Sequence, residues 1–446
     1  MNKYILLKKR VLLINVIIRR QNNGQNESKN NGKKERTIIM TSITGPSPSS
    51  SSPKNNNNKI TQPEQDACVR STAADAILSK CSAVNKGYFI DPYVQFFAPT
   101  KGIKRAPLIN RGYYARFKAV DTIVRRFLSV KNSQNKHQIV VLGAGVDTLY
   151  FRLASSFFSN NVNNNITVFD LDFEQVCKKK IEIVRNNNEL STLAKENMEV
   201  NGKDDDDTVK SNDTNEGIEF HGEKYHIIPA DLRNIDVVEK QLIKCGIDFN
   251  IPTLFLSECV LIYMHHEHSN KVIEFAGTKF PTSVFVTYEQ ILPNTRFGSV
   301  MVDNIRRRGC PLQSIHQYPN CISLKNRYEK LGYKTASVLD MNQVYYQYLD
   351  SKDVSRIQRL ELFDELEEWH LIQGHYCIAV AINDMDKVVV DDNNSNNVSY
   401  DDEGNLKPKR KNDDQPPSSQ MMIITNTIKF YLKEEKVPSF FNKYMD

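Results

Sequence analysis

Five short apolar runs between residues 138 and 291 constrain the fold of this 446-residue chain more than any other feature. They are rich in β-branched residues, and a polar or helix-like stretch separates each run from the next. The runs are QIVVLGAG (138–145), NITVFDLD (165–172), YHIIPADL (225–232), TLFLSECVLIYM (253–264) and SVFVTYEQI (283–291). Near-continuous apolar strands that alternate with helices predict a parallel sheet covered on both faces. We therefore expect an α/β, doubly wound fold.

Other segments extend this prediction at both ends. Residues 64–130 repeat apolar side chains at spacings of three and four, which predicts an N-terminal helical segment. Two further strands are expected at YKTASVLD (333–340) and HYCIAVAI (375–382), and MMIITNTIKFYL (421–432) is a candidate last strand. Because no segment repeats with a period of about 20–50 residues, the sequence argues against propellers and solenoids.

Polar, low-complexity segments divide the chain into parts. Such segments cannot bury enough apolar surface to offset the entropy that ordering them would cost. We predict a disordered Asn/Ser/Lys-rich tail over 1–60, one domain over 61–386 with a polar insert at 201–216, an acidic disordered linker over 387–418, and the candidate last strand with a C-terminal tail over 419–446.

The charge of the chain is unevenly distributed. Residues 1–60 hold 12 of the 59 basic residues and two of the 53 acidic residues, which leaves 47 basic and 51 acidic residues elsewhere. The net charge of +6 therefore belongs to the N-terminal tail, and the rest of the chain is mildly acidic. A nucleic-acid-binding surface on the folded part is not expected from this distribution.

The cysteines and the apolar segments indicate the compartment. Eight scattered cysteines without a CxxC pair are typical of free thiols in a reducing compartment. The first 20 residues are apolar but are interrupted by Lys8, Lys9 and Arg10, so this segment is too short and too charged to span a bilayer. We expect a cytoplasmic protein with no membrane association.

The turn Gly143–Gly145 restricts which ligand the first strand can hold. A dinucleotide fingerprint needs a third glycine, where this chain has Thr148, and Asp147 puts a negative charge where a pyrophosphate would lie. A P-loop is absent as well. S-adenosylmethionine carries no phosphate, and its sulfonium and amine are cationic, so it suits an acid beside the turn. A tight turn without a ligand remains the alternative at this point.

Polar residues follow the apolar runs at their carboxyl ends, where ligands of open α/β sheets bind. Several such groups in series, most with an acid, predict a nucleoside-binding rim. An acid at the end of the second strand, Asp170 or Asp172, can accept hydrogen bonds from both ribose hydroxyls. The rim comprises Gly143–Asp147, Asp170–Asp172, Asp231–Leu232, Glu258–Tyr263 and Tyr288–Gln290.

Six longer strings closely resemble the leucine carboxyl methyltransferases, in the same order, over residues 68–384. They are LINRGYYARFKAVDTIVRRFL (108–128), QIVVLGAGVDTLYFRL (138–153), LFLSECVLIYM (254–264), YEQILPNTRFGSVMVDNIRRRGCPL (288–312), YEKLGYKTASVLDMNQVY (328–345) and RLELFDELEEWHLIQGHYC (359–377).

The resemblance implies a fold, a reaction and a partner. The family has the class I, Rossmann-like fold of enzymes that depend on S-adenosylmethionine. It uses that cofactor to esterify the α-carboxyl of the C-terminal leucine of the protein phosphatase 2A catalytic subunit. The resemblance therefore implies this activity for the chain, with that subunit as its partner and a monomer as its state.

Matching by motif also implies eight cofactor-binding residues. These are Lys80 and Arg116 for the methionine carboxylate, Gly143 and Gly145 for the turn, Asp172 for the ribose, Asp231 and Leu232 for the adenine, and Glu258 for the methionine part.

The chemistry needs no catalytic side chain in the usual sense. A C-terminal carboxyl, with a pKa of about 3.5, is already ionised at neutral pH, so no general base is required. Catalysis then rests on aligning the reacting atoms and excluding water. A hydroxyl or cation near the leucine carboxylate is expected, and Tyr263 and Arg296 are our candidates. We expect no metal, because HHEH (265–268) is more typical of a polar helix start than of a metal site.

Two other functions stay open from sequence. One is the carboxyl methyltransferase of tRNA wybutosine synthesis, which typically adds a kelch-type repeat domain that we do not find here. The other is a non-catalytic phosphatase-binding module that has lost the cofactor. Cofactor binding would distinguish that module from either enzyme.

Overall fold

The computed structural model describes residues 61–98, 104–132, 134–157, 165–196, 218–383 and 388–389. Ten strands lie within these ranges, and eight of them form one sheet. The strands are β1 Lys131–Asn132, β2 Lys136–Leu142, β3 Asn165–Asp172, β4 Phe220–His221, β5 Tyr225–Pro229, β6 Thr253–Glu258, β7 Ser283–Gln290, β8 Thr335–Asp340, β9 Tyr376–Ile382 and β10 Val388–Val389.

The large sheet has the strand order β4-β5-β3-β2-β6-β7-β9-β8. The five central strands β5, β3, β2, β6 and β7 are parallel, whereas β9 runs antiparallel to both of its neighbours. The chain leaves β2 in one direction to β3 and β5, and then crosses back to β6 on the other side. This topology confirms the doubly wound, mainly parallel sheet, and β2 lies at its switch point.

Helices cover both faces of the sheet. They are α1 Gln62–Asn85, α2 Val94–Phe97, α3 Pro107–Ser129, α4 Leu149–Phe157, α5 Glu174–Arg185, α6 Asn188–Ala194, α7 Ile235–Lys244, α8 His266–Lys279, α9 Arg296–Arg307, α10 Cys321–Lys330, α11 Met341–Gln347, α12 Ser351–Ile357 and α13 Leu366–Gln373.

Local sequence explains where the first helix begins. The Thr61 N–H donates to the Glu64 carboxylate at 2.8 Å, and Pro63 occupies the first turn, where its missing N–H costs nothing. Helices α1 and α3 account for the apolar periodicity of residues 64–130, so the expected helical segment is confirmed.

The strand β2 is buried on both faces. Ile139 and Val141 belong to one apolar cluster, and Val140 and Leu142 belong to the cluster on the opposite face. Full burial of each such side chain contributes roughly 1.5–3 kcal/mol, so the central strands fix the sheet firmly. In the first cluster the fully buried Trp369 packs against Tyr345, with ring centroids 4.5 Å apart.

The predicted strands match the observed ones within a few residues, with one instructive difference. The fourth run ends as a strand at Glu258, and Leu261–Tyr263 then form a 3₁₀ turn instead of continuing the strand. The candidate strand 421–432, the N-terminal tail, the insert at 201–216 and the acidic linker lie outside the described residues, apart from the two residues of β10.

Two further expectations can be compared with the described residues. All eight cysteines are free thiols, as the scattered spacing predicted. Every helix among the described residues is too short or too polar to cross a bilayer.

Candidate functional site

A cavity of about 400 Å³ opens at the carboxyl ends of β2, β3 and β6 and is covered by α1. This is the place where the strand order reverses around β2, and open α/β sheets bind their ligands there. Its volume falls in the usual range for small-molecule sites. Each segment of the predicted rim therefore contributes residues to one cavity, and of the two acids at the end of β3 Asp172 lines it whereas Asp170 pairs with the buried Lys180.

The turn after β2 forms the floor of this cavity. Gly143 and Gly145 have φ values of +62° and +54°, which favour glycine. A Cβ at Gly143 would lie 2.5 Å from the Val260 side chain, so a larger residue cannot fit without movement. The Ala144 N–H donates to the Leu171 carbonyl at 3.0 Å and ties the turn to β3. Backbone, and not side chain, therefore faces the ligand at this point.

Asp172, at the end of β3, presents its carboxylate to the same cavity. The backbone N–H groups of Gly145 and Phe173 each donate to it at 2.7 Å, which fixes its orientation. Burial nevertheless raises the pKa of Asp172 to about 6. A half-buried carboxylate of this kind can accept hydrogen bonds from a vicinal diol, which suits the ribose role that the sequence predicted.

Two ion pairs occupy the cavity wall beside the turn. Lys80 of α1 pairs with Asp147, and the Arg116 Nε of α3 donates to Glu258 at 2.5 Å. Burial opposes the charge on Lys80, but the neighbouring Asp147 and Glu258 outweigh it and raise the pKa of Lys80. Burial opposes the charge on Arg116 as well, and Glu258 more than compensates, so the pKa of Arg116 lies well above its usual value.

The alternating charges of these four side chains can hold a zwitterion. Burial would raise the pKa of Asp147, but Lys80 and Arg152 hold it below the usual range, so the Asp147 carboxylate is charged at neutral pH. A ligand with one carboxylate and one ammonium group can exchange partners with them and leave no buried charge unpaired.

The predicted adenine residues line another part of the wall. Leu232 is buried, with 7 % of its surface exposed, and offers an apolar contact. Asp231 binds the Arg233 guanidinium, whose Nε lies 2.8 Å from one carboxylate oxygen. The same guanidinium donates to Asp66 of α1 at 2.7 Å and 3.0 Å. The segment after β5 is thereby bound to α1.

The structure separates the two candidates for holding a substrate carboxylate. Tyr263 lines the cavity at the end of the 3₁₀ turn, whose Ile262 N–H donates to the buried Glu289 at 2.8 Å. Arg296 is the first residue of α9, is exposed, and is not among the described residues that line the cavity. Tyr263 is therefore brought together with the cofactor candidates, and Arg296 is not.

Sequence reasoning missed Gln373 and Tyr376 of the wall, whereas the end of β7 at Tyr288–Gln290 was part of the predicted rim. Gln373 of α13 and Gln290 of β7 are buried, and the side-chain oxygen of each lacks a hydrogen-bond partner among the described residues. Tyr376 stacks on Tyr288 at 5.3 Å between ring centroids, and Arg308 binds Asp75 of α1 at 3.3 Å. Only Arg308 and the end of β7 carried a signal in the sequence, as a basic run and as a strand end.

Comparisons with known proteins identify relatives of this chain. The family model described as leucine carboxyl methyltransferase matches residues 61–277. The Arabidopsis thaliana leucine carboxyl methyltransferase 1 homolog is 36% identical over 318 residues, which cover 71% of this chain and 90% of the relative. Leucine carboxyl methyltransferase 1 of Rattus norvegicus is 34% identical over 322 residues, with the same coverages. Human tRNA wybutosine-synthesizing protein 4 is 34% identical over 316 residues, which cover 44% of that relative.

Proposed function

The chain belongs to the leucine carboxyl methyltransferase family, and from this premise we propose that it transfers the methyl group of S-adenosylmethionine to the C-terminal leucine carboxylate of the protein phosphatase 2A catalytic subunit. The observation that carries the proposal is the convergence of Asp172 with the pairs Lys80–Asp147 and Arg116–Glu258 on one cavity. These groups match the diol and the zwitterionic end of that cofactor.

The described residues fit the cofactor part by part. Asp172 would accept hydrogen bonds from the ribose hydroxyls, and Lys80 with Arg116 would bind the methionine carboxylate. Glu258 would then face the ammonium group. Leu232 would pack on the adenine, with Asp231 beside it. Gly143 and Gly145 let the backbone approach, because neither places a side chain in the space.

The reaction requires the protein to position the carboxylate against the methyl group and to exclude water from the cavity. When bound, S-adenosylmethionine supplies an electrophilic methyl group on a cationic sulfur. The leucine carboxylate is ionised at neutral pH, so no residue has to remove a proton. In our proposal Tyr263 orients that carboxylate by a hydrogen bond, and α1 excludes water from the cavity. Alignment of this kind can supply roughly 7–11 kcal/mol of the barrier reduction.

The tRNA enzyme is the second candidate, because the human wybutosine relative is nearly as similar in identity. One observation favours the protein substrate. Outside residues 1–60 the chain is mildly acidic, which does not favour binding of a polyanion.

Methyl transfer decides between these functions. We would incubate the full chain and labelled S-adenosylmethionine with phosphatase 2A core enzyme, with the same enzyme lacking its terminal leucine, and with tRNA. We expect base-labile label on the intact phosphatase only. Label on tRNA would support the second candidate, and cofactor binding without transfer to either substrate would support a non-catalytic module.

Two variants test the residue that holds the carboxylate. We expect Tyr263→Phe to raise the KM for the phosphatase about 10- to 100-fold, because one hydrogen bond to a charged group contributes about 1.5–3 kcal/mol. Arg296→Ala is the matched control, since Arg296 does not line the cavity. A large loss in the control and none in Tyr263→Phe would reverse the assignment.

A further inference from the structure

A second group of side chains converges at the sheet edge, outside the cavity. His221 of β4 and His226 of β5 are directly paired across the two strands. Cys245 follows the last residue of α7, and its thiol is buried beside them. None of the three lines the cavity described above. The proposed methyl transfer does not use them.

The three potential ligand atoms are close together. The two Nδ1 atoms of His221 and His226 lie 3.3 Å apart, and the Cys245 Sγ lies 3.7 Å from the His221 Nδ1. All three atoms fall within 4.8 Å of one another. A tetrahedral Zn²⁺ with ordinary bond lengths holds two nitrogens about 3.3 Å apart and a nitrogen and a sulfur about 3.5 Å apart. The two distances from the His221 Nδ1 therefore match those around a bound ion within a few tenths of an ångström.

The contact of His221 with Glu219 determines which ring nitrogen has a lone pair available to bind a metal ion. The His221 Nε2 lies 3.0 Å from a Glu219 carboxylate oxygen, which can only accept, so Nε2 carries the hydrogen. In the neutral ring Nδ1 is then free of hydrogen and faces the other two residues. Carboxylates commonly orient zinc-bound histidines in this way.

The surrounding contacts hold this arrangement in place. The Glu219 side chain is only 8% exposed, and Lys244 donates to it at 2.8 Å. The second Glu219 oxygen is buried without a hydrogen-bond partner among the described residues. The His226 ring stacks on Phe169 of β3, with centroids 5.0 Å apart. Both rings are thus restrained before any ion binds.

We propose that His221, His226 and Cys245 bind one Zn²⁺ ion, with a water molecule as the fourth ligand. The mixed nitrogen and sulfur set suits zinc, and the His221 side chain is 24% exposed, so solvent reaches the open position. The ion joins the edge strand β4 and its neighbour β5 to the C-terminal end of α7. The ion takes no part in the proposed methyl transfer, and we expect it to stabilise the folded state by an amount that grows with the logarithm of the free zinc concentration above its Kd.

The experiment uses the full chain after removal of bound metal with a chelator. Titration with Co²⁺ should give a thiolate-to-cobalt charge-transfer band and the visible bands of a tetrahedral ion at one equivalent, and Zn²⁺ should displace them. Cys245→Ser and His221→Asn should abolish the bands. Glu219→Gln should keep them with an affinity about 10- to 100-fold lower. Cys321→Ser, at a half-buried thiol outside this cluster, is the control and should change nothing.

Absence of the bands in the wild-type chain would overturn the proposal, and the cluster would then be a set of ordinary hydrogen bonds. Bands that survive in Cys245→Ser would overturn it as well, because another thiol would hold the ion. The ligand set of the wild-type zinc form is a second measurement that does not depend on the folding of a variant. X-ray absorption of the zinc form should show one sulfur and two imidazoles, and any other ligand set counts against the site.

Discussion

At the scale of single residues, Gly143 leaves the least space for a side chain among the glycines that line the cavity. We expect Gly143→Ala to lower cofactor affinity more than about tenfold, because its Cβ would approach Val260 to 2.5 Å and 2.8 Å at a φ of +62°. Titration calorimetry with S-adenosylmethionine would measure the loss.

Gly246→Ala separates the steric clash expected at Gly143 from the free-energy cost of a left-handed backbone conformation. Gly246 has a φ of +80°, but a Cβ there would meet nothing within 4 Å. This control should lose about 1–2 kcal/mol of stability from the left-handed backbone alone and keep its cofactor affinity. Equal cofactor affinities in the two variants would contradict the argument from Val260.

Asp172 predicts a pH dependence of cofactor binding. Burial raises its pKa to about 6 in the folded protein, above the ordinary value of 3.8. The folded state therefore binds this proton more tightly than the unfolded chain does, so the contribution of Asp172 to stability falls as pH rises from about 4 to about 6. Ribose hydroxyls donate best to the ionised form, so we expect cofactor affinity to fall as pH is lowered through about 6.

Calorimetry from about pH 5 to about pH 8 would measure this step, with Asp172→Asn as the control. The variant should bind more weakly at the upper end and should lack the step. A step of unchanged size in the variant would mean that another group titrates.

At the scale of elements, α1 covers the cavity. It forms three ion pairs with residues from different parts of the chain. They are Asp66–Arg233, Asp75–Arg308 and Lys80–Asp147. We expect Asp66→Ala to speed cofactor release severalfold while changing stability by less than about 1 kcal/mol, because the pair is partly exposed. Stopped-flow displacement of bound cofactor would measure the release rate.

Asp303→Ala is the matched control for this cover. Asp303 pairs with Arg306 on the exposed face of α9, so the same charge is removed without loosening α1. If both variants released the cofactor at the wild-type rate, the Asp66 contact would have no part in retaining it.

The same element marks the limit of what the sequence could predict. The sequence was sufficient to predict the strands, the Gly143 turn and Asp172. The ends of parallel strands meet at one edge of the sheet, whatever the distances between the strands in sequence. The contact of Asp66 with Arg233 spans 167 positions, and periodicity identifies an amphipathic helix without naming what it covers. Gln373 was missed for the same reason, and Arg296 was favoured although it lies outside the cavity wall.

At the scale of the whole molecule, the charge distribution and the family match suggest where the catalytic part begins. The match starts at residue 61 and the cavity wall at Gln62, whereas residues 1–60 carry 12 basic residues. We expect a chain of residues 61–446 to retain methyl transfer to the phosphatase within about twofold and to keep its thermal midpoint. The transfer assay and calorimetric melting would test this.

Removal of residues 1–85 is the contrasting truncation. It deletes α1 together with Lys80 and should abolish cofactor binding. Loss of transfer in the 61–446 chain, with its fold intact, would instead give the N-terminal segment a part in the reaction.

The packing of Trp369 has a spectroscopic consequence. It is the only tryptophan in the chain, it is fully buried, and it contacts Tyr345. Its helix, α13, also places Ile372 and Gln373 in the cavity wall. Indole emission from this protein therefore has a single origin. A red shift of that emission would report that water has reached the side chains packed around Trp369 beside the cavity. No second tryptophan would contribute to the signal.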